Sequence, residues 1–265
     1  MNNIVFVIAL IFLLCSALYA YLHKKTHMPL KYFFIDNLLV ICLTLFLYIF
    51  FTKHIHNNFL PILIVIPLIP LIAFILTMIR FWHTPRRNIV AGENELVSPA
   101  DGNIIYIKKI ESGQLPVAVK NGNISALREL TKTDLLNFPC WLIGINMTPF
   151  DVHKNCAPVS GKIVLLEHFP GKFLSLKDIK AETENERQTL VIDTGTYQVA
   201  IVQIASKLVR RIDAYVKKGD NISIGQWYGM IRFGSQVDII FPADFNVHVT
   251  HKQQVYAGTT IIASK

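Results

Sequence analysis

Three apolar runs at the start of the chain decide what it can fold into. Residues 1–22 carry no charged side chain, a second run covers 38–52 and a third 59–79. At 1.5 Å of rise per residue, a helix needs about 20 apolar residues to cross a hydrocarbon core roughly 30 Å thick. The first and third runs reach that length. The second reaches it only by taking in 32–35 and tolerating Asp36 near an interface. Pro61 suits a first helical turn. Pro67 and Pro70 fall inside the third run, where each removes a backbone donor, and they predict a kink or a re-entrant segment.

Charge orients these runs. Lys24, Lys25 and Lys31 follow the first, and Arg80, Arg86 and Arg87 follow the third, whereas the loop between the second and third offers only Lys53. By the positive-inside rule both richer clusters are cytoplasmic, which requires three crossings with the N-terminus outside and the rest of the chain in the cytoplasm, at the cell (inner) membrane. A cleaved secretory signal fits poorly, because residues 1–22 lack a basic leading side chain and Leu18-Tyr19-Ala20 is a weak cleavage site. Only 17% of the 265 residues are charged, against roughly a quarter in an ordinary soluble domain. The net charge of +8 is spread thinly, with 21 basic and 17 acidic residues over 86–265. No block of it forms a nucleic-acid footprint, so membrane lipids are the expected counterpart. The four cysteines lack C-x-x-C spacing, and neither a disulfide framework nor a zinc site is indicated.

Residues 1–85 therefore read as a membrane anchor of three apolar helices, and 86–265 as a separate domain. From 96 onward, short apolar segments are punctuated by Gly, Asp, Asn and Pro: 96–107, 114–120, 141–146, 161–167, 189–194, 197–204 and 236–241. This predicts a mainly β domain of barrel or sandwich character. Residues 124–136 are a helical candidate and 206–215 fit helix or strand. The glycine rhythm of 215–231, with Gly219-Asp220 and later Gly225 and Gly229, resembles the turns of biotinyl- and lipoyl-type barrels, but no carrier lysine sits at a hairpin tip.

Three residues next to turns are the candidates for chemistry. Asp101 lies in Ser98-Pro99-Ala100-Asp101-Gly102, His153 in Phe150-Asp151-Val152-His153, and Ser235 in Gly234-Ser235-Gln236-Val237-Asp238. The last is no G-x-S-x-G elbow. An aspartate, a histidine and a serine can supply orienter, base and nucleophile, although spacing alone does not establish that they meet. On the residues alone a membrane serine hydrolase and a non-catalytic membrane-anchored β-barrel adaptor both remain open. Asp151 and Asp238 earn no catalytic role. His248 and His251, three apart, do not share a strand face.

The same segments, with Ala157-Pro158-Val159-Ser160-Gly161, Asn185-Glu186-Arg187, Gln203-Ile204-Ala205 and Arg210-Arg211, make the chain resemble the phosphatidylserine decarboxylase proenzymes, in the compact branch that includes archaetidylserine decarboxylase-like proteins. The resemblance implies self-cleavage between Gly234 and Ser235, with Asp101 and His153 completing the processing triad. It implies two associated fragments, 1–234 and 235–265, and a covalent pyruvoyl group formed from Ser235, with no metal. The implied reaction converts a serine phospholipid, phosphatidylserine or a relative, to its ethanolamine counterpart and CO₂. Longer relatives carry a further histidine where this chain has Phe150, which leaves His153 as first choice for the decarboxylation proton donor. Gln236 stands where this branch often has arginine. Arg210 and Arg211 are adjacent, do not share one direction and read first as solvated ends beside the basic Lys217-Lys218 turn; the alternative is that one of them meets a lipid phosphate by bidentate bonding.

Overall fold

The computed structural model describes residues 2–26, 28–56, 59–92, 94–111, 117–120, 123–126, 139–172, 185–205, 211–232 and 235–265; for 2, 3, 117–120, 123–126 and 235 the description is of the backbone. The chain divides into two units, one of residues 1–83 with Thr148–Phe150 and one of Thr84–Met147 with Asp151–Lys265.

The first unit holds three helices, each long and apolar enough to cross a membrane: α1 (Asn2–Thr26), α2 (Leu30–His54) and α3 (Leu60–Trp82). Helix α2 reaches spanning length as the sequence requires, by taking in 32–35 and Asp36. That aspartate is buried, and Arg80 of α3 pairs with it. The Arg80 guanidinium also lies 3.8 Å over the Tyr32 ring. A charge at this depth is tolerable only when paired and hydrogen-bonded, and the pair ties α2 to α3. Asn37 donates to the Ser16 hydroxyl at 3.2 Å, tying α2 to α1. The re-entrant alternative for the third run is not realised, because α3 runs on through Pro67 and Pro70. Apolar side chains from the helices fill the surrounding space, where a re-entrant backbone would leave polar groups facing lipid.

Among the described residues of the second unit the regular elements are all strands, joined by turns and irregular segments. In chain order the strands are β1 (Glu95–Val97), β2 (Gly102–Ile110), β3 (Val117–Lys120), β4 (Asn123–Ala126), β5 (Cys140–Met147), β6 (Lys154–Cys156), β7 (Gly161–Phe169) and β8 (Arg187–Asp193). Then come β9 (Gln198–Ala205), β10 (Ile212–Ala214), β11 (Asn221–Ile222), β12 (Trp227–Ile231), β13 (Ser235–Pro242), β14 (Asn246–Val247), β15 (Gln254–Val255) and β16 (Ile261–Ser264). Eight of them form one curled antiparallel sheet, a half-barrel, in the order β11-β7-β8-β9-β13-β5-β2-β15.

Period-2 alternation gives this sheet two buried faces. Val237, Ile239 and Phe241 of β13 join Ile143 and Ile145 of β5 and Ile201 of β9 in one core. Ile240, Leu142, Val202 and Ile204 pack on the other face. β13 is therefore central, with β5 and β9 on either side and its two faces covered. The helical expectation for 124–136 fails over its first residues, since 124–126 belong to β4 paired with β3; the remainder lies outside the described residues. Of 206–215, residues 212–214 are strand and 206–210 lie outside the described residues.

Candidate active site

Ser235 opens β13. Its backbone stands in register with Met147 of β5 and Ala205 of β9, so the serine begins a strand that is paired on both sides. Gly234 lies outside the described residues. The Asn185-Glu186-Arg187 segment secures the Ala205 end of that register: the Asn185 side chain donates to the Ala205 carbonyl at 2.8 Å, and the Ala205 N–H donates to the Glu186 carbonyl at 2.9 Å. Arg187, 2% exposed, donates from Nε to the Asn185 carbonyl at 3.3 Å.

His153 precedes β6 and is fully buried. A ring nitrogen facing a carbonyl must carry the hydrogen, so Nδ1–H donates to the Asp151 carbonyl at 2.8 Å and Nε2 of the neutral ring holds the basic lone pair. Burial lowers its pKa to about 4, against the smaller raising effect of the Asp151 carbonyl. The ring is thus neutral at physiological pH and can accept a proton. Asp151 itself is held by the Gln254 side chain, which donates to it at 3.0 Å.

Asp101 sits in the turn between β1 and β2, where the Ser98 hydroxyl donates to the Ala100 carbonyl at 2.7 Å. Gly102 follows because the chain must pass close to β5: a Cβ there would lie 2.4 Å from the Asn146 carbonyl oxygen. Arg87 Nη2 donates to Asp101 Oδ2 at 2.7 Å, and the Ala257 N–H donates to Oδ1 at 2.8 Å. The other guanidinium nitrogen donates to the Ala257 carbonyl at 3.1 Å, closing a clamp of three segments. Among the described residues neither Asp101 oxygen is hydrogen-bonded to His153. The two segments meet instead through the backbone, by the Cys156 N–H donating to the Pro99 carbonyl at 2.9 Å.

Sequence reasoning missed Arg87 as the partner of Asp101. It counted this arginine only as a cytoplasmic charge, and no spacing rule connects it to Ala257, 170 positions on. It also missed Asn155 and Gln188, which join Gln203 in a buried chain of amides. Arg210 lies outside the described residues. Arg211 is largely exposed and donates to Asp213, which also accepts from Arg232. Asp238 is buried and accepts from Gln236, whose amide also donates to the Tyr106 hydroxyl.

The phosphatidylserine decarboxylase family model matches residues 74–263, well over half of the chain. The chain belongs to the phosphatidylserine decarboxylase family. It is 40% identical over 195 residues to a Methanocaldococcus jannaschii protein named as an archaetidylserine decarboxylase proenzyme, covering 73% of this chain and 92% of that one. It is 38% identical over 197 residues to a phosphatidylserine decarboxylase proenzyme of Cupriavidus pinatubonensis, covering 74% and 81%. The Burkholderia ambifaria proenzyme is 38% identical over 195 residues, covering 73% and 81%. Membership makes the chain an enzyme, a decarboxylase made as a zymogen, with pyruvoyl-type chemistry and a place in phospholipid biosynthesis. The matched region starts within α3 and includes Arg87 and all three candidate residues; α1 and α2 lie before it.

Proposed function

We propose that this chain cleaves itself between Gly234 and Ser235 and then decarboxylates a serine glycerophospholipid to the ethanolamine lipid. The observation that carries the reading is the buried, neutral His153 in a chain whose family match spans the Gly234-Ser235 pair at the head of the central strand. His153 Nε2 takes the Ser235 hydroxyl proton, which makes the oxygen a nucleophile toward the carbonyl carbon of residue 234. Asp101 holds the β1–β2 turn against the segment that carries His153, and acts on the ring through that placement. An ester replaces the amide, and elimination and hydrolysis then leave a pyruvoyl group where Ser235 stood.

The local structure fits such a group. Strands β5 and β9 hold the residue's backbone, buried side chains cover both faces of the sheet, and buried amides lie within reach of the Met147 register partner. The pyruvoyl carbonyl supplies the electron withdrawal that lets CO₂ leave. The protein keeps water from the leaving carboxylate and returns a proton; Phe150 offers none, so His153 is the proposed donor, once its Nε2 has taken a proton from the ammonium group of the incoming serine lipid. No metal enters this scheme. The substrate and product are membrane lipids, and the three helices hold the enzyme at their surface. The charge clusters at 24–31 and 80–87 support a cytoplasmic side for the catalytic unit by the positive-inside rule.

Intact-mass measurement on the purified protein tests the reading. The expected result is two fragments, 1–234 and 235–265, the smaller one blocked at its start. Ser235→Ala should stay whole and inactive, since alanine has no oxygen to accept the acyl group. Lipid decarboxylation by an uncleaved Ser235→Ala chain overturns the proposal. One full-length, active wild-type chain would favour a serine hydrolase instead.

A further inference from the structure

Three buried amides lie end to end beside the head of β13. Gln188 Nε2 donates to Gln203 Oε1 at 2.8 Å, Gln203 Nε2 donates to Asn155 Oδ1 at 2.7 Å, and Asn155 Nδ2 stands 3.8 Å from Met147 Sδ. None of the three is more than 4% exposed. The sulfur end fixes the direction of the chain. With every amide reversed, Asn155 would turn an oxygen toward a thioether, which has no hydrogen to give.

The row therefore ends in an N–H donor whose neighbours polarise it in one sense, resting on one of the weakest acceptors a protein contains. Met147 is the residue opposite Ser235 in the β5–β13 ladder, and Gln203 stands opposite Val237, two positions further along β13. Gly229, opposite Asn155 on β12, leaves room for the row, since a Cβ there would stand 3.4 Å from Gln203 Nε2 and 2.6 Å from the Asp213 carbonyl oxygen. A strong, desolvated donor held in reserve beside a reacting strand end suits negative charge that appears only during reaction.

We infer that Asn155 is the oxyanion donor of self-cleavage, a role that rests on the proposed reaction at Ser235. In the acyl shift the Ser235 proton passes to His153, the Oγ–C bond to residue 234 forms, and the carbonyl electron pair moves onto its oxygen. The Asn155 N–H leaves the Met147 sulfur and donates to that oxygen. Collapse re-forms the carbonyl and breaks the C–N bond, and His153 returns its proton to the Ser235 nitrogen. Gln203 and Gln188 are positioning residues that hold Asn155 with its donor outward.

The test is the half-time of self-cleavage for full-length chain synthesised into lipid nanodiscs, with hydroxylamine added to release any accumulated ester as a cut chain. Asn155→Leu and the near-isosteric Asn155→Asp both remove the donor and should slow cleavage about 100-fold or more, with the hydroxylamine-released product falling in step. Gln203→Leu, which frees Asn155 to rotate, should cost about tenfold. Met147→Leu removes only the resting acceptor and should cleave no slower than the parent. Thermal unfolding of each variant in the Ser235→Ala background checks its fold. If Asn155→Asp is folded and cleaves at the parental rate, or piles up hydroxylamine-sensitive ester, the donor role is overturned. A Met147→Leu chain as slow as Asn155→Leu would make the cluster merely structural and overturn it too. A parent chain that never cleaves overturns the self-cleavage reading and the role of Asn155 with it; a parent that cleaves beside an equally fast Asn155→Leu overturns Asn155 alone.

Discussion

Replacing Arg87 by leucine strips the cation from a carboxylate that has nowhere to go. The Asp101 side chain is 5% exposed and that of Arg87 12%, so both charges were desolvated when they paired. Breaking such a pair from one side costs about 3–5 kcal/mol, because a buried charge is left uncompensated. Asp101 Oδ1 keeps its 2.8 Å bond from the Ala257 N–H, which puts the loss at the lower end, about 3 kcal/mol. At about 1.4 kcal/mol per factor of ten, the unfolded population should rise roughly a hundredfold. The measurement is urea unfolding of the β unit in nanodiscs, followed by the fluorescence of Trp141 and Trp227. The Ser235→Ala background keeps the transition unimolecular. Arg87→Leu/Asp101→Leu, which removes both charges, should recover most of the loss. A single variant within about 0.5 kcal/mol of its parent, the range of ordinary surface changes, would refute the clamp.

Other outcomes follow from the same geometry. His153→Ala should remain largely precursor by gel and intact mass, and normal accumulation of the small fragment would remove His153 from the cleavage step. The folded His153 pKa of about 4 lies below the ordinary value of 6.5, so its contribution to stability is complete above pH 6.5 and is lost as pH falls toward 4. Urea midpoints of the Ser235→Ala chain should drop over that window, by less once His153 is replaced by glutamine, while cleavage rates stay flat from pH 8 to 6; a rate midpoint near 6.5 would show a solvated ring. Gly102→Ala drives a Cβ into the Asn146 carbonyl and should destabilise the β unit by about 2 kcal/mol in the same urea assay. Reporter fusions after residues 56 and 90 should fall on opposite sides of the membrane, and two cytoplasmic reports would remove one of the proposed crossings.

What the sequence made legible was whatever is periodic or contiguous. The helices follow from uninterrupted apolar length, and even the doubtful second span shows its need for Asp36. The strands that build the central sheet follow from alternation and turn residues, as in 236–241. The helical expectation at 124–136 failed where 124–126 enter β4, because a strand is decided by its partner, here β3, and not by local propensity alone. The site divides the same way. Asp101, His153 and Ser235 stand beside recognisable turns, whereas the bonds that define their surroundings join residues far apart in the chain. Arg87 meets Ala257 across 170 positions, and Asn155 on β6 of the β10-β12-β6 sheet meets Gln203 on β9 of the eight-stranded sheet, contacts that no local pattern records.

That sheet order also explains why a cut before Ser235 need not shed the small fragment. The proposed scission falls at the end of β13, outside its ladder, and Ser235–Pro242 keeps its register with all of β5 and, through Ile240, with β9. The same fragment supplies β15, which pairs with β2, and β16, which pairs with β1, so it touches four strands of the large fragment in two sheets. Val237, Ile239, Phe241, Phe245 and Ile262 are buried in the main core, and dissociation would return them to water at about 1.5–3 kcal/mol for each large apolar side chain. The Arg87–Asp101–Ala257 clamp crosses the cut as well, with two members on one fragment and one on the other. In the proposed two-fragment enzyme it is part of the joint between two chains, so Arg87→Leu should both lower the urea midpoint and let residues 235–265 be lost on extended washing of immobilised enzyme, whereas the same substitution in the uncleaved Ser235→Ala chain releases nothing.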